Sequence, residues 1–94
     1  MTFDAHMERL RLRFEARARE DRARLQEAAA DQRMDDIVRI AHGMSGTAGV
    51  FGHGELGEAA QRVEEAIEGG AAPDRVRLLY TDLIERLGRV GQPD

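Results

Sequence analysis

The chain has 94 residues, 41% hydrophobic and 34% charged, with a net charge of −4; that is enough for one modest core and too little for two. It holds no cysteine, which excludes disulfides, thiolate metal sites and thiol nucleophiles, and its mild acidity argues against a nucleic-acid binder, which needs a basic face. No apolar run is long enough to span a bilayer and no basic-then-apolar leader is present, so the expectation is a cytoplasmic protein without a membrane partner.

All fourteen basic residues are arginine. A composition bias of the source genome explains this better than selection for guanidinium chemistry. The two prolines, Pro73 and Pro93, frame the last element. No window alternates apolar and polar residues long enough for a strand, and helical spacing recurs four times. The first helix spans about residues 3–29, with Phe3, Met7, Leu10, Phe14, Ala18 and Leu25 on one stripe. Arg19-Glu20-Asp21-Arg22 interrupts that stripe and suggests a bend or a solvated stretch. Asp31-Gln32 reads as the turn.

The second helix spans about residues 34–51, with Met34, Ile37, Ala41, Met44, Ala48 and Phe51 on one face. Gly52-His53-Gly54 closes it, since glycine accepts the left-handed conformation of a helix end. The third spans about 55–68 and turns Leu56, Ala59, Ala60, Val63 and Ile67 inward. Gly69-Gly70 ends it, and Pro73 suits the first turn of the next helix. The fourth spans about 74–90, with Val76, Leu79, Tyr80, Leu83, Leu87 and Val90 inward. Short connections between amphipathic helices imply antiparallel neighbours. The predicted fold is therefore all-α: a single domain over residues 1–94, an antiparallel up-down four-helix bundle.

The second helix carries the chemistry. At 100° per residue, with Ile37 as the core direction, His42 falls about 140° away, toward solvent or a partner. Val38 lies one turn before it, Ser45 and Gly46 one turn after, and Gly49 two turns after. Each glycine inside a helix costs about 0.8–1 kcal/mol relative to alanine, so Gly43, Gly46 and Gly49 together cost roughly 2–3 kcal/mol if all are helical. A small domain has of order 5–15 kcal/mol in total. Close approach by a partner, or tight packing against another helix, would justify that load. Neither phosphate-loop pattern is present, and no H-E-x-x-H spacing or nucleophile–base pair marks a hydrolase. His6 and His53 read as ordinary surface histidines, and no metal site is expected.

Residues 41–52 read Ala-His-Gly-Met-Ser-Gly-Thr-Ala-Gly-Val-Phe-Gly. This segment resembles the signature of the histidine-containing phosphotransfer (HPt) domains, Ala-His-x-[Leu/Met]-Lys-Gly-x-[Ala/Ser]-x-x-[Leu/Phe]-Gly. Leu56, Ala60 and Val63-Glu64 follow in the spacing of that family's next helix, and Asp31 and Ile37-x-x-Ile40-Ala41 precede in its pattern. The likeness covers about residues 10–68, and the fourth helix only as a generic amphipath. The resemblance implies that His42 is the phosphoacceptor on the exposed face of the second helix, receiving a phosphoryl group from a receiver-domain aspartate and passing it to another response regulator. It implies a phosphocarrier with no kinase domain and no cofactor of its own, Mg2+ being held by the partner receiver. The expected partners are receiver domains of hybrid histidine kinases and of response regulators, met by a free-standing monomer.

One position departs from the pattern. Ser45 stands where the family has a lysine that would favour the dianionic phosphoryl group. Arg39, about 60° from His42 on the helix wheel, and Arg62 of the third helix are the candidates to replace that charge, with Gly46 and Gly49 as the docking shelf. Two other readings are a helical adaptor that docks receivers without transfer and a self-associating structural bundle.

Overall fold

Four helices form where the three- and four-residue spacing of apolar side chains predicts them. The computed structural model describes residues 2–92, and side chains from Asp4 onward. The side chain of Phe3 and the position of Pro93 lie outside the described residues. Helix α1 spans Thr2–Ala30, α2 Met34–Thr47, α3 Gly54–Glu68 and α4 Pro73–Leu87. Helix α1 packs on α2 and α4, and α3 packs on the same two. With short turns between neighbours, the ring closes as the antiparallel up-and-down bundle.

The core follows the predicted faces. Leu25, Ile37, Val63, Leu83 and Leu87 are fully buried, and Ala18, Ala41, Ala48, Ala59 and Ala60 fill the spaces between them. Burying each large aliphatic side chain contributes about 1.5–3 kcal/mol. Ala28 and Gly57 are also buried, two positions absent from the predicted inward set.

Helix α2 is shorter than the predicted 34–51. The α-helix stops at Thr47, and Ala48–Phe51 continue as a 3₁₀ turn. Tightening the last turn satisfies carbonyls that an α-helix end leaves without partners. Gly52 N–H donates to Gly49 O at 3.2 Å and His53 N–H to Ala48 O at 3.0 Å, with Gly52 left-handed at φ 83°. Phe51 reaches α1 and stacks on Phe14, ring centroids 5.3 Å apart.

Helix α4 starts one residue before the predicted 74–90 and stops three residues earlier, at Leu87. Val90 is nevertheless buried, in the turn that follows. The predicted interruption of the first helix around Arg19–Arg22 leaves no break: α1 is one helix of 29 residues. Arg22 is half-buried, and its Nε donates to Ile84 O in the last turn of α4 at 3.1 Å. A polar residue in the stripe thus ties one helix to the end of another, where a cation also favours the helix dipole. Gly88 lies beneath that guanidinium: a Cβ there would stand 3.1 Å from its atoms.

Candidate functional site

His42 stands two-thirds of the way along α2, on the side away from Ile37, Ala41 and Met44, which are buried. Its side chain is 75% exposed. The imidazole is nonetheless held. Nδ1 lies 2.6 Å from Oε2 of Glu64 on α3, whose side chain is only 17% exposed.

An ionised carboxylate has no proton to give. With the carboxylate as acceptor, Nδ1 carries the hydrogen of this bond, and in the neutral ring Nε2 then keeps its lone pair. A carboxylate that fixes the tautomer and the ring orientation makes one nitrogen the better nucleophile and aims it. It also lies where it would stabilise a cationic imidazole ring.

The fold brings these two residues together from 22 positions apart. Helices α2 and α3 are antiparallel, and His53 in the connecting turn is equidistant from His42 and Glu64. Residues equidistant from such a turn stand at about the same height on the two helices. Sequence reading gave Glu64 as part of the Val63-Glu64 spacing of the third helix and missed it as the imidazole's partner. The equal spacing about the Gly52-His53-Gly54 turn is the signal that would have found it.

The other candidates are placed as follows. Ser45 is half-buried, and its hydroxyl donates to the carbonyl of His42 at 2.9 Å, so its hydrogen is turned back onto its own helix. Arg39 is exposed and turned to Asp36 at 3.5 Å. Arg62 is turned to Glu58 at 3.7 Å. Two residues before Glu64, it lies about 200° around α3 from the side that meets His42. Neither guanidinium is brought to the imidazole.

Gly46 and Gly49 are exposed, and for each no atom beyond its own helix lies within 4 Å of where a Cβ would stand. The same holds for Gly43. Close packing against another helix is therefore not the reason for these three glycines. The glycine that does pack is Gly57 of α3, where a Cβ would meet Ala48 Cβ at 3.5 Å and Ser45 O at 3.6 Å. What remains for Gly43, Gly46 and Gly49 is an open shelf around His42, at the end of which Val50 is 68% exposed.

The family model described as the Hpt domain matches residues 9–92. The chain belongs to the Hpt domain family. Hpt domains are phosphocarrier modules that take part in histidine phosphotransfer within phosphorelays, working with receiver domains. The match runs beyond the motif segment and takes in α4, which by sequence reads only as a generic amphipath. No curated protein and no solved structure matches the chain. Among the described residues, no helix of this Hpt domain is long and apolar enough to cross a membrane, and no group of three or more potential ligands could hold a metal ion.

Proposed function

We propose that the protein is a cytoplasmic phosphocarrier in which Nε2 of His42 takes a phosphoryl group from a receiver-domain aspartate and gives it to the receiver of another response regulator. The contact that carries this reading is Glu64 Oε2 on His42 Nδ1 at 2.6 Å. In the forward step the Nε2 lone pair attacks phosphorus, the bond from phosphorus to the aspartyl oxygen breaks, and its electron pair leaves with the receiver's carboxylate. The ring keeps its hydrogen on Nδ1 and becomes cationic, opposite the Glu64 carboxylate. Passing the group on reverses these bond changes with a different receiver carboxylate as acceptor. Such transfer depends on in-line placement and charge stabilisation. The receiver's acidic pocket, with its divalent cation, supplies the charge on the far side.

Gly46 and Gly49 give the partner's backbone room to approach, and Arg39 serves as a docking cation at the edge. The test is incubation with a receiver domain carrying labelled phosphoryl, comparing the wild type with His42→Gln. Acid-labile label on the wild type alone supports the reading; equal label on both sinks it.

One observation favours a second reading. The Ser45 hydroxyl is bonded to its own helix, and no cation stands where the family lysine would. An adaptor that docks receivers without accepting phosphate would bind equally well as His42→Gln and take no label from any donor.

A further inference from the structure

A groove of about 330 Å³ runs between α1 and α2 on the side of α2 that carries Gly43, the residue next to His42. Ala18, Ile40, Gly43 and Met44 line it, and Phe14 closes one end. Its rim is basic: Arg17 and Arg24 from α1 and Arg39 from α2 stand against one acid, Asp21. That acid is shared, 3.3 Å from Arg17 and 3.8 Å from Arg24. Asp36 is likewise divided, held by Arg33 at 3.0 Å and by Arg39 at 3.5 Å. The three guanidiniums on the rim are incompletely neutralised and more than half exposed.

The other side of His42 has the opposite sign. Glu64 and, one turn on, Glu68 stand on the side of α3 that meets His42, while Glu58 is paired with Arg62 and Glu55 with Arg86 on other sides of the helix. His42 therefore stands between a basic groove and the carboxylates of Glu64 and Glu68, in a chain whose net charge is −4. Two signs on one face set the rotation of a docking partner as well as its position, because only one orientation avoids placing like charges together. The floor is also left open at Gly43, although no atom beyond its own helix lies within 4 Å of where a Cβ would stand and alanine there would favour the helix.

We propose that this groove is the second half of the docking surface, and that it takes an apolar side chain flanked by carboxylates on the docking face of the partner receiver domain. The proposal rests on the phosphotransfer reading and adds to it the chemistry by which one receiver is preferred. Receivers with acid at that place are favoured, and receivers with basic residues there are repelled.

The experiment uses the whole chain, with receiver domains of the source organism, each charged with labelled phosphoryl from acetyl phosphate, as the probes. Transfer rate is measured against receiver concentration for the wild type, Arg17→Gln with Arg24→Gln, and Gly43→Leu. A control, Arg75→Gln with Arg77→Gln on α4, makes the same change in net charge away from the groove. Both groove variants are expected to need about tenfold more receiver for half-maximal rate, with the rate at saturation nearly unchanged, as for losses at a docking rim. Raising salt should weaken the wild type more than the double-arginine variant. Leucine is a good helix former in an open position, so Gly43→Leu decides the matter even if the double variant is unstable.

Groove variants indistinguishable from the wild type with every receiver that labels it would overturn the groove and leave the phosphotransfer reading intact. An equal loss in the α4 control would assign the effect to net charge and overturn the groove as well. Sedimentation showing that Gly43→Leu breaks a dimer would make the occupant a second copy of the chain. A wild type that no receiver labels removes both readings together.

Discussion

At the scale of single residues the candidate site is a histidine held by a carboxylate. Glu64 is mostly buried while His42 is mostly exposed, so the anchor is stiffer than the group it holds. Glu64→Ala should leave the helices intact and lower the rate of phosphoryl transfer by roughly 10–100-fold, the usual loss when an orienting partner of a functional histidine is removed. Single-turnover transfer at saturating receiver measures it, and an unchanged rate would mean that the 2.6 Å contact has no part in the chemistry. Gly46→Ala separates stability from function. The position has room for a methyl group, so stability to urea should rise by about 0.8–1 kcal/mol, while docking weakens by about tenfold, or 1.4 kcal/mol. Faster or equal transfer would show that the shelf is not approached. The exposure of His42 and its glycines was legible from their helical spacing. Glu64 as partner was not, because the bond spans two helices.

At the scale of elements, helix ends decide more than helix centres. Helix α1 ends with Gln32 in the left-handed region at φ 56°, where Arg33 N–H reaches back to Ala28 O at 2.8 Å. A side chain in that conformation costs about 1 kcal/mol, and Gln32→Gly should recover roughly that much, read as a higher midpoint in chemical denaturation. A lower midpoint would mean that the bond from Gln32 Nε2 to Ala29 O, 3.1 Å, outweighs the backbone strain. The tie between α1 and α4 works in the other direction. Arg22→Ala removes the bond to Ile84 O and the cover over Gly88, and should cost about 1–2 kcal/mol. No change would make Arg22 an ordinary surface arginine. The apolar spacing identified all four helices, but the 3₁₀ turn at Ala48–Phe51 and the stop at Leu87 were not visible in it. Both depend on what the neighbouring helix offers: Phe14 for Phe51, and the Arg22 guanidinium for the end of α4.

At the scale of the whole molecule the helices are unequal. Helix α1 has 29 residues against 14 or 15 for each of the others, about 43 Å against 21–23 Å at 1.5 Å per residue. The molecule is accordingly elongated, 49 × 23 × 21 Å. No side chain between Asp4 and Phe14 is buried, whereas Ala18, Leu25 and Ala28 are. Hydrogen exchange should therefore show the backbone amides of α1 up to about Leu12 opening locally, and those from Ala18 to Ala28 exchanging only with global unfolding. Uniform protection along α1 would show that something covers its first turns in solution.

By itself the sequence determined which faces of the helices are apolar, where the chain turns, and that His42 looks outward from a run of glycines. Those properties are local: they follow from side-chain periodicity, from the backbone freedom of glycine and from the fixed ring of proline. The tertiary structure decided what meets across helices. It set Glu64 against Nδ1 of His42, turned the Ser45 hydroxyl back on its own helix, carried Arg62 to another side of α3, and gave Arg22 a carbonyl on α4. It also showed that Gly43, Gly46 and Gly49 border open space while Gly57 takes the close contact. These outcomes depend on the relative height and rotation of packed helices, which the spacing of residues within any one helix does not contain.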